Sequence, residues 1–225
     1  MTAALKFEHV FLSLASQAGP VEILKDVSFA AKAGEAIGII GPSGSGKTSL
    51  LMVASGLEAA TKGKVQAAGF ELSGQGESSL AQIRRDTIGI IFQSFHLIPT
   101  MTALENVAVP LEFRGSADAM ERAEAGLKRV GLGHRLTHYP SQLSGGEQQR
   151  VAIARAVTAG AKILLADEPT GNLDQDTGHA IIDLLFELKD RDGATLLLVT
   201  HDRALAKRCN RILEVRDGQV HEGRK

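Results

Sequence analysis

The run Gly41-Pro42-Ser43-Gly44-Ser45-Gly46-Lys47-Thr48 follows the apolar stretch Ala36–Ile40 and leads, through Ser49, into a second apolar stretch. Strand, glycine loop and helix in that order form the context that a phosphate-binding loop requires. Glycines let backbone N–H groups wrap phosphate oxygens, and the helix start adds positive potential. Lys47 has the reach for β- and γ-phosphates, and the Thr48 hydroxyl suits a Mg²⁺ shell. A plain Gly/Ser turn would not need the Lys-Thr ending or these flanks.

A second apolar run, Ile163–Ala166, ends in Asp167-Glu168. Asp167 is placed to hold the Mg²⁺ shell and Glu168 to polarise an attacking water. Standing alone, the two carboxylates would read as a solvated turn; the phosphate loop upstream favours the chemical reading. A third segment, Leu143–Arg150 (LSGGEQQR), opens a helical stretch. Ser144 can cap it, and the paired glycines Gly145 and Gly146 leave its first N–H groups open to an anion. By physics alone this is a second candidate phosphate site and no more.

Strand-like runs at Val21–Phe29, Ala36–Ile40, Ile88–Phe92, Ile163–Ala166, Thr195–Val199 and Ile212–Val215 must carry these segments. Several are almost continuously apolar, as strands buried on both faces of a largely parallel sheet are. Helical patterns at Lys47–Ser55, Glu147–Ala159, Thr177–Arg191 and Arg203–Arg208 alternate with them, which predicts an α/β fold. From Ser94 to about Tyr139 the rhythm changes to helix, notably Ala117–Val130, and Gly69–Ser79 reads as a surface loop.

With 225 residues, 44% hydrophobic and 23% charged, the chain can bury a substantial core. A net charge of −1 lacks the basic excess of a nucleic-acid binder, so no nucleic-acid partner is expected. The single cysteine, Cys209, fits a reducing compartment and a packing role. MTAALKFEHV has no apolar core of signal-peptide length, and no run of about 18 apolar residues spans a bilayer. Service to a membrane is expected to run through a partner. His134 and His138 are four apart but lie in a Gly- and Pro-bounded segment without further ligands, and read as surface loop.

LSGGEQQR resembles the ABC signature motif, ADEPTGNLD at Ala166–Asp174 the Walker B segment running into the D-loop, and VTHD the switch-histidine segment. The chain is thereby identified as resembling ABC transporter ATP-binding proteins along essentially its whole length. The resemblance implies a P-loop NTPase of ABC type: a mainly parallel core sheet with an antiparallel β part (1–93 and 144–225) and a helical subdomain (94–143). It implies an ATPase that takes ATP and Mg²⁺ and pairs head to tail as a homodimer. Lys47, Glu168, Gln93 and His201 would be catalytic, Gln93 sensing Mg²⁺ and water and His201 the γ-phosphate. Ser144, Gly145, Gly146 and Glu147 would meet the nucleotide of the other copy, with Asp174 at the seam.

FQSFHLIPTMTALENVAVPL at Phe92–Leu111 narrows the likeness to the lipoprotein-release (LolD), macrolide-export (MacB) and YbbA group, nearest its YbbA-like members. That group serves FtsX/MacB-like permeases in export or extraction of hydrophobic or lipid-linked substrates. The implied location is cytoplasmic, peripheral on the inner face of the bacterial inner membrane. The cell-division ATPase FtsE shares the same wording, so a mechanical regulator that moves no substrate stays open as the alternative. A DNA- or ribosome-directed ABC protein lacks support, since there is no heptad insertion or basic tail, and a simple P-loop kinase has no use for LSGGEQQR. Leu97, Ile98, Met101 and Leu104 flank Gln93 and are divided between helical core and a groove for a permease helix.

The chain departs from the family where an aromatic residue usually stacks on adenine. That position falls on Leu14, with Phe11 three residues earlier. Leucine covers a base without a π-face, which predicts weak discrimination between ATP and GTP.

Overall fold

The computed structural model describes residues 3–16 and 19–223. In chain order the strands are β1 Ala3–Ser16, β2 Gly19–Lys32, β3 Ala36–Ile40, β4 Lys62–Ala67, β5 Phe70–Glu71, β6 Ile88–Phe92, β7 Ile163–Asp167, β8 Thr195–Val199, β9 Arg211–Arg216 and β10 Gln219–Glu222. The helices are α1 Lys47–Ala54, α2 Glu77–Thr87, α3 Ala103–Glu112, α4 Ala119–Arg129, α5 Gly145–Thr158, α6 Gln175–Asp192 and α7 Arg203–Ala206.

Two sheets form. The larger has the order β10-β9-β3-β8-β7-β6 and is parallel except for β10. Its central strands are buried on both faces, as their continuous apolar runs require. Period-2 alternation divides their side chains. Ile37, Ile39, Ile163, Leu165, Leu197 and Val199 join one core with α1 and the smaller sheet. Leu164, Ala166, Leu196 and Leu198 join the other, with α3, α4, α5 and α6.

The smaller sheet is antiparallel, order β2-β1-β4-β5. Val21–Phe29, read above with the parallel strands, belongs here as part of β2. Its sequence mixes polar with apolar residues rather than running apolar: Leu24 and Val27 are buried, while Glu22 and Ser28 face outward. That pattern marks a strand with one wet face. Phe7 and Phe29 stack across the β1–β2 pair with ring centroids 4.8 Å apart.

The turn-rich segment Gly69–Ser79 is only partly a loop, because it contains β5 and the first turn of α2. The 94–143 stretch holds α3, α4 and a short 3₁₀ turn at Pro140–Gln142, with no strand among them. Thr102 and Glu105 start α3 with a capping box, the hydroxyl accepting from Glu105 N–H. Helix α5 packs on α3 and α4 on one side and on β6 and α6 on the other, so it belongs to both halves of the molecule. No helix among the described residues is long and apolar enough to cross a membrane.

Candidate nucleotide site

Strand β3 ends in the middle of the large sheet and delivers the glycine loop to the sheet's C-terminal edge, where α/β proteins bind ligands. Gly41, Gly44 and Gly46 all have positive φ, at 155°, 74° and 105°. A side chain at Gly46 would stand 3.0 Å from the carbonyl oxygen of Ile23, so β2 closes over the loop. Helix α1 has no acidic residue in its first turn to offset its positive end.

Lys47 is buried and bends back over its own loop, donating to the carbonyls of Gly41 (3.0 Å) and Pro42 (2.8 Å). The buried Ser45 hydroxyl has no hydrogen-bond partner. An ammonium hydrogen-bonded to two neutral carbonyls and an orphaned hydroxyl are both groups that phosphate oxygens would satisfy. A cleft of about 570 Å³ opens here, lined by the loop, Thr48, Ser49, Ile23, Glu168 and His201.

Asp167 ends β7, directly between Phe92 of β6 and Val199 of β8. Burial pushes its carboxyl above the usual aspartate value; a hydrogen bond to Thr48 pulls the other way, the Glu168 charge adds to the rise and Lys47 opposes it. Thr48 and Asp167 thus present adjoining oxygens, the donor type a hard cation takes. Glu168 follows in a left-handed conformation, φ 44°, which a non-glycine residue adopts only when its surroundings hold it there. Its N–H donates to Val199 O (3.0 Å) and its carbonyl accepts from Gly171 N (3.0 Å). Its carboxylate lies 3.4 Å from Nδ1 of His201, which is largely solvent-exposed.

Ser144 caps α5 as its sequence predicts. Its Oγ accepts from Glu147 N (3.3 Å), and its own N–H donates to Glu147 Oε2 (2.8 Å). Arg135 adds a 2.9 Å ion pair to Glu147. The Ser144 N–H bond, foremost, holds the Glu147 carboxyl below its ordinary range, and the Ser144 and Arg135 side chains assist. Asp174 caps α6, accepting from Thr177 N at 3.0 Å. None of Ser144, Gly145, Gly146, Glu147 or Asp174 lines the cleft of its own chain.

Gln93 also does not line it, being bound to Asn172 instead. Leu14 is an exposed hairpin residue opposite Val21. The β1–β2 register shifts between Leu12 and Ser13, leaving Ile23 as the extra residue of a bulge, and it is Ile23 that reaches the cleft. Leu97 and Leu104 pack on the helical core, whereas Ile98 is exposed. His138 meets Arg135 at 3.0 Å.

Sequence reasoning missed Arg155. From α5 its guanidinium donates to the carbonyls of Phe95 (2.9 Å) and His96 (2.6 Å), two successive left-handed residues with φ 59° and 48°. That fork braces the turn after Gln93 against the helix begun by Ser144. No spacing rule links residues about sixty apart.

A phosphate loop, a strand-end Asp-Glu pair and a capped Ser-Gly-Gly helix that does not line its own cleft are now in place, and residues 24–171 match the ABC transporter family. The chain belongs to that family. This ABC transporter ATP-binding subunit is 47% identical over 220 residues to the "Uncharacterized ABC transporter ATP-binding protein YbbA" of Escherichia coli K12, covering 97% of this chain and 96% of YbbA. It is 42% identical over 222 residues to the macrolide export ATP-binding/permease protein MacB of the same strain, covering 98% of this chain but 34% of MacB. The dimeric ATP-binding cassette MJ0796 solved in a post-hydrolysis state with ADP and Pi superimposes with TM-score 0.90 at 40% identity, covering 98% of both chains. A second dimeric structure, of MJ0796 described as a bacterial ABC transporter cassette, gives TM-score 0.90 at 41% identity. The ABC subunit therefore has the P-loop NTPase fold expected for it.

Proposed function

We propose that this subunit hydrolyses ATP to drive an FtsX/MacB-like permease that exports or extracts a hydrophobic or lipid-linked substrate. The observation that carries the hydrolytic part is Glu168. Its carboxylate faces the phosphate cleft beside His201 and is fixed by a backbone conformation that costs energy to hold.

In this reading Lys47 leaves the Gly41 and Pro42 carbonyls to bind β- and γ-phosphate oxygens, and the N–H groups of the loop and of Ser49 surround them. Thr48 and Asp167 hold Mg²⁺, joined by Gln93; the ion supplies charge neutralisation at the transferred phosphoryl group. Glu168 accepts a proton from the attacking water, and His201 orients that water and the γ-phosphate. Ser144, Gly145, Gly146 and Glu147 serve the nucleotide of a second copy, with Asp174 at the seam. What supports this is that the α5 start is capped but does not line its own cleft, together with the dimeric MJ0796 neighbours. The permease class rests on the likeness to YbbA and MacB. The likeness to YbbA and MacB also supports a reading in which the subunit works at the cytoplasmic face of the inner membrane.

The test is Glu168→Gln, expected to keep ATP binding, lose hydrolysis by about 10²-fold or more and accumulate as an ATP-bound dimer. Normal turnover would overturn the assignment of the base. The same variant, purified with ATP from native membranes, should bring an FtsX-like permease with it. Recovery of only ribosomes or DNA would end the transport reading and leave the ATPase standing.

A further inference from the structure

The hold on Gln93 is built from two residues that no role above uses. One amide, that of Asn172, binds both ends of Gln93: its Nδ2 donates to the Gln93 carbonyl (3.1 Å) and its Oδ1 accepts from Gln93 Nε2 (3.2 Å). Beneath lies Gly171, where a Cβ would stand 2.6 Å from Gln93 Nε2 and 2.9 Å from its Cδ. The glutamine side chain therefore lies flat on Gly171, and a side chain there would displace it. Gly171 N–H in turn donates to the carbonyl of Glu168, so Glu168 and Gly171 close a single turn and Asn172 follows it directly.

A plain loop staple would need the Asn172 bond to the Gln93 backbone only. Here the side-chain amide is occupied as well, and it is the group that has to reach metal and water. Both residues are partly solvent-exposed. An exposed hydrogen bond of this kind shifts an equilibrium by about two- to tenfold. That is enough to keep Gln93 mostly parked, and little enough for a bound cation to pull it away.

We propose that Asn172 is a positioning residue that latches Gln93 against Gly171 in the nucleotide-free subunit, so that Gln93 reaches the metal side of the cleft only when the latch opens. The inference rests on the reading of Gln93 as a Mg²⁺-side residue. It makes the latch part of the cost of loading Mg–nucleotide, and ties that cost to the segment that carries Asp174.

The experiment is a Mg²⁺ titration of binding of a fluorescent ATP analogue (mant-ATP), in the Glu168→Gln background so that no turnover intervenes. Asn172→Ala is expected to lower the half-saturating Mg²⁺ concentration about two- to tenfold. With Gln93→Ala also present, Asn172→Ala is expected to have no further effect, because the two act through one contact. Melting curves of each variant report folding, and Asn172→Ser, which keeps a short polar group without the second arm, should fall between wild type and Asn172→Ala. An unchanged Mg²⁺ dependence in Asn172→Ala, with weakened Mg²⁺ dependence in Gln93→Ala, overturns the latch and leaves the metal role of Gln93 standing. An equal shift with and without Gln93 makes Asn172 a loop staple and overturns it too. An unchanged Mg²⁺ dependence in Gln93→Ala alone removes the metal role itself, and the latch with it.

Discussion

Gly146 stands against Thr177: a Cβ at position 146 would lie 2.6 Å from the threonine Cγ2. The second glycine of the helix start is thus required within its own chain, to let the α5 start approach the α6 start, whatever it does for a nucleotide. Gly146→Ala is expected to cost about 1–3 kcal/mol through overpacking. Adding Thr177→Ser removes the opposing methyl and should restore stability in urea unfolding. ATP turnover that returns with stability would assign Gly146 to packing alone; turnover that stays low would assign it to the nucleotide of the other copy as well.

Asp167 is a half-buried carboxylate whose desolvation outweighs the help it gets from Thr48 and Lys47, the latter being engaged with carbonyls. Asp167→Asn should stabilise the nucleotide-free protein by about 1 kcal/mol, or about 2–4 °C in melting temperature. Mg²⁺-dependent nucleotide binding should be lost in the same variant. A lower melting temperature would show that the carboxylate is well paired without its cation.

The Glu147 carboxyl titrates below its ordinary value of 4.5. A depressed carboxyl contributes stability that is present above the unfolded value and disappears as pH falls through the folded one. Wild type should therefore lose stability relative to Glu147→Gln below about pH 4.5, with a constant difference from pH 5 to 7. The side chain is partly exposed and its ion pair with Arg135 is open to solvent screening, so that difference should be about 1 kcal/mol or less. Melting temperature against pH for the two proteins is the measurement.

Gln149 is fully buried on α5 with neither amide atom hydrogen-bonded. Gln149→Met, nearly equal in volume, should stabilise the isolated subunit by about 1–3 kcal/mol by removing two unpaired polar atoms. No change in the urea midpoint would mean that both atoms are satisfied in solution.

With Leu14 exposed at the hairpin and Ile23 in the cleft, no aromatic side chain is among the described residues that line it. GTP should be hydrolysed nearly as well as ATP. Leu14→Tyr should lower KM for both nucleotides about fivefold or more if the base rests there. A tenfold preference of the wild type for ATP in kcat/KM would defeat the first expectation, and an inert Leu14→Tyr the second.

The parallel strands and the loop of Gly41–Thr48 were legible in the sequence because their constraints are local. Continuous apolar runs mark burial on two faces, and glycine, lysine and threonine at fixed offsets mark a loop shape. Strands β1, β4 and β10 were not legible. Lys6 and Glu8 alternate with buried Leu5 and Phe7, and Lys62, Gly63 and Lys64 are exposed ahead of buried Val65, in half-exposed runs that resemble loop. Helix α2 begins in glycine- and serine-rich sequence and carries few apolar residues, which hid it. The holds on Gln93 by Asn172 and on Phe95 and His96 by Arg155 come from tertiary approach, which no periodicity encodes.

Helix α5 carries its cap at Ser144 and its brace at Arg155 about three turns apart, hence on nearly one face. Substitutions between them are felt one side chain at a time. An insertion or deletion of a single residue would swing one end by about 100° relative to the other and separate the glycine start from the turn after Gln93. The segment from Ser144 to Arg155 is therefore a ruler: natural variants of this subunit can change its letters, and are expected never to change its length.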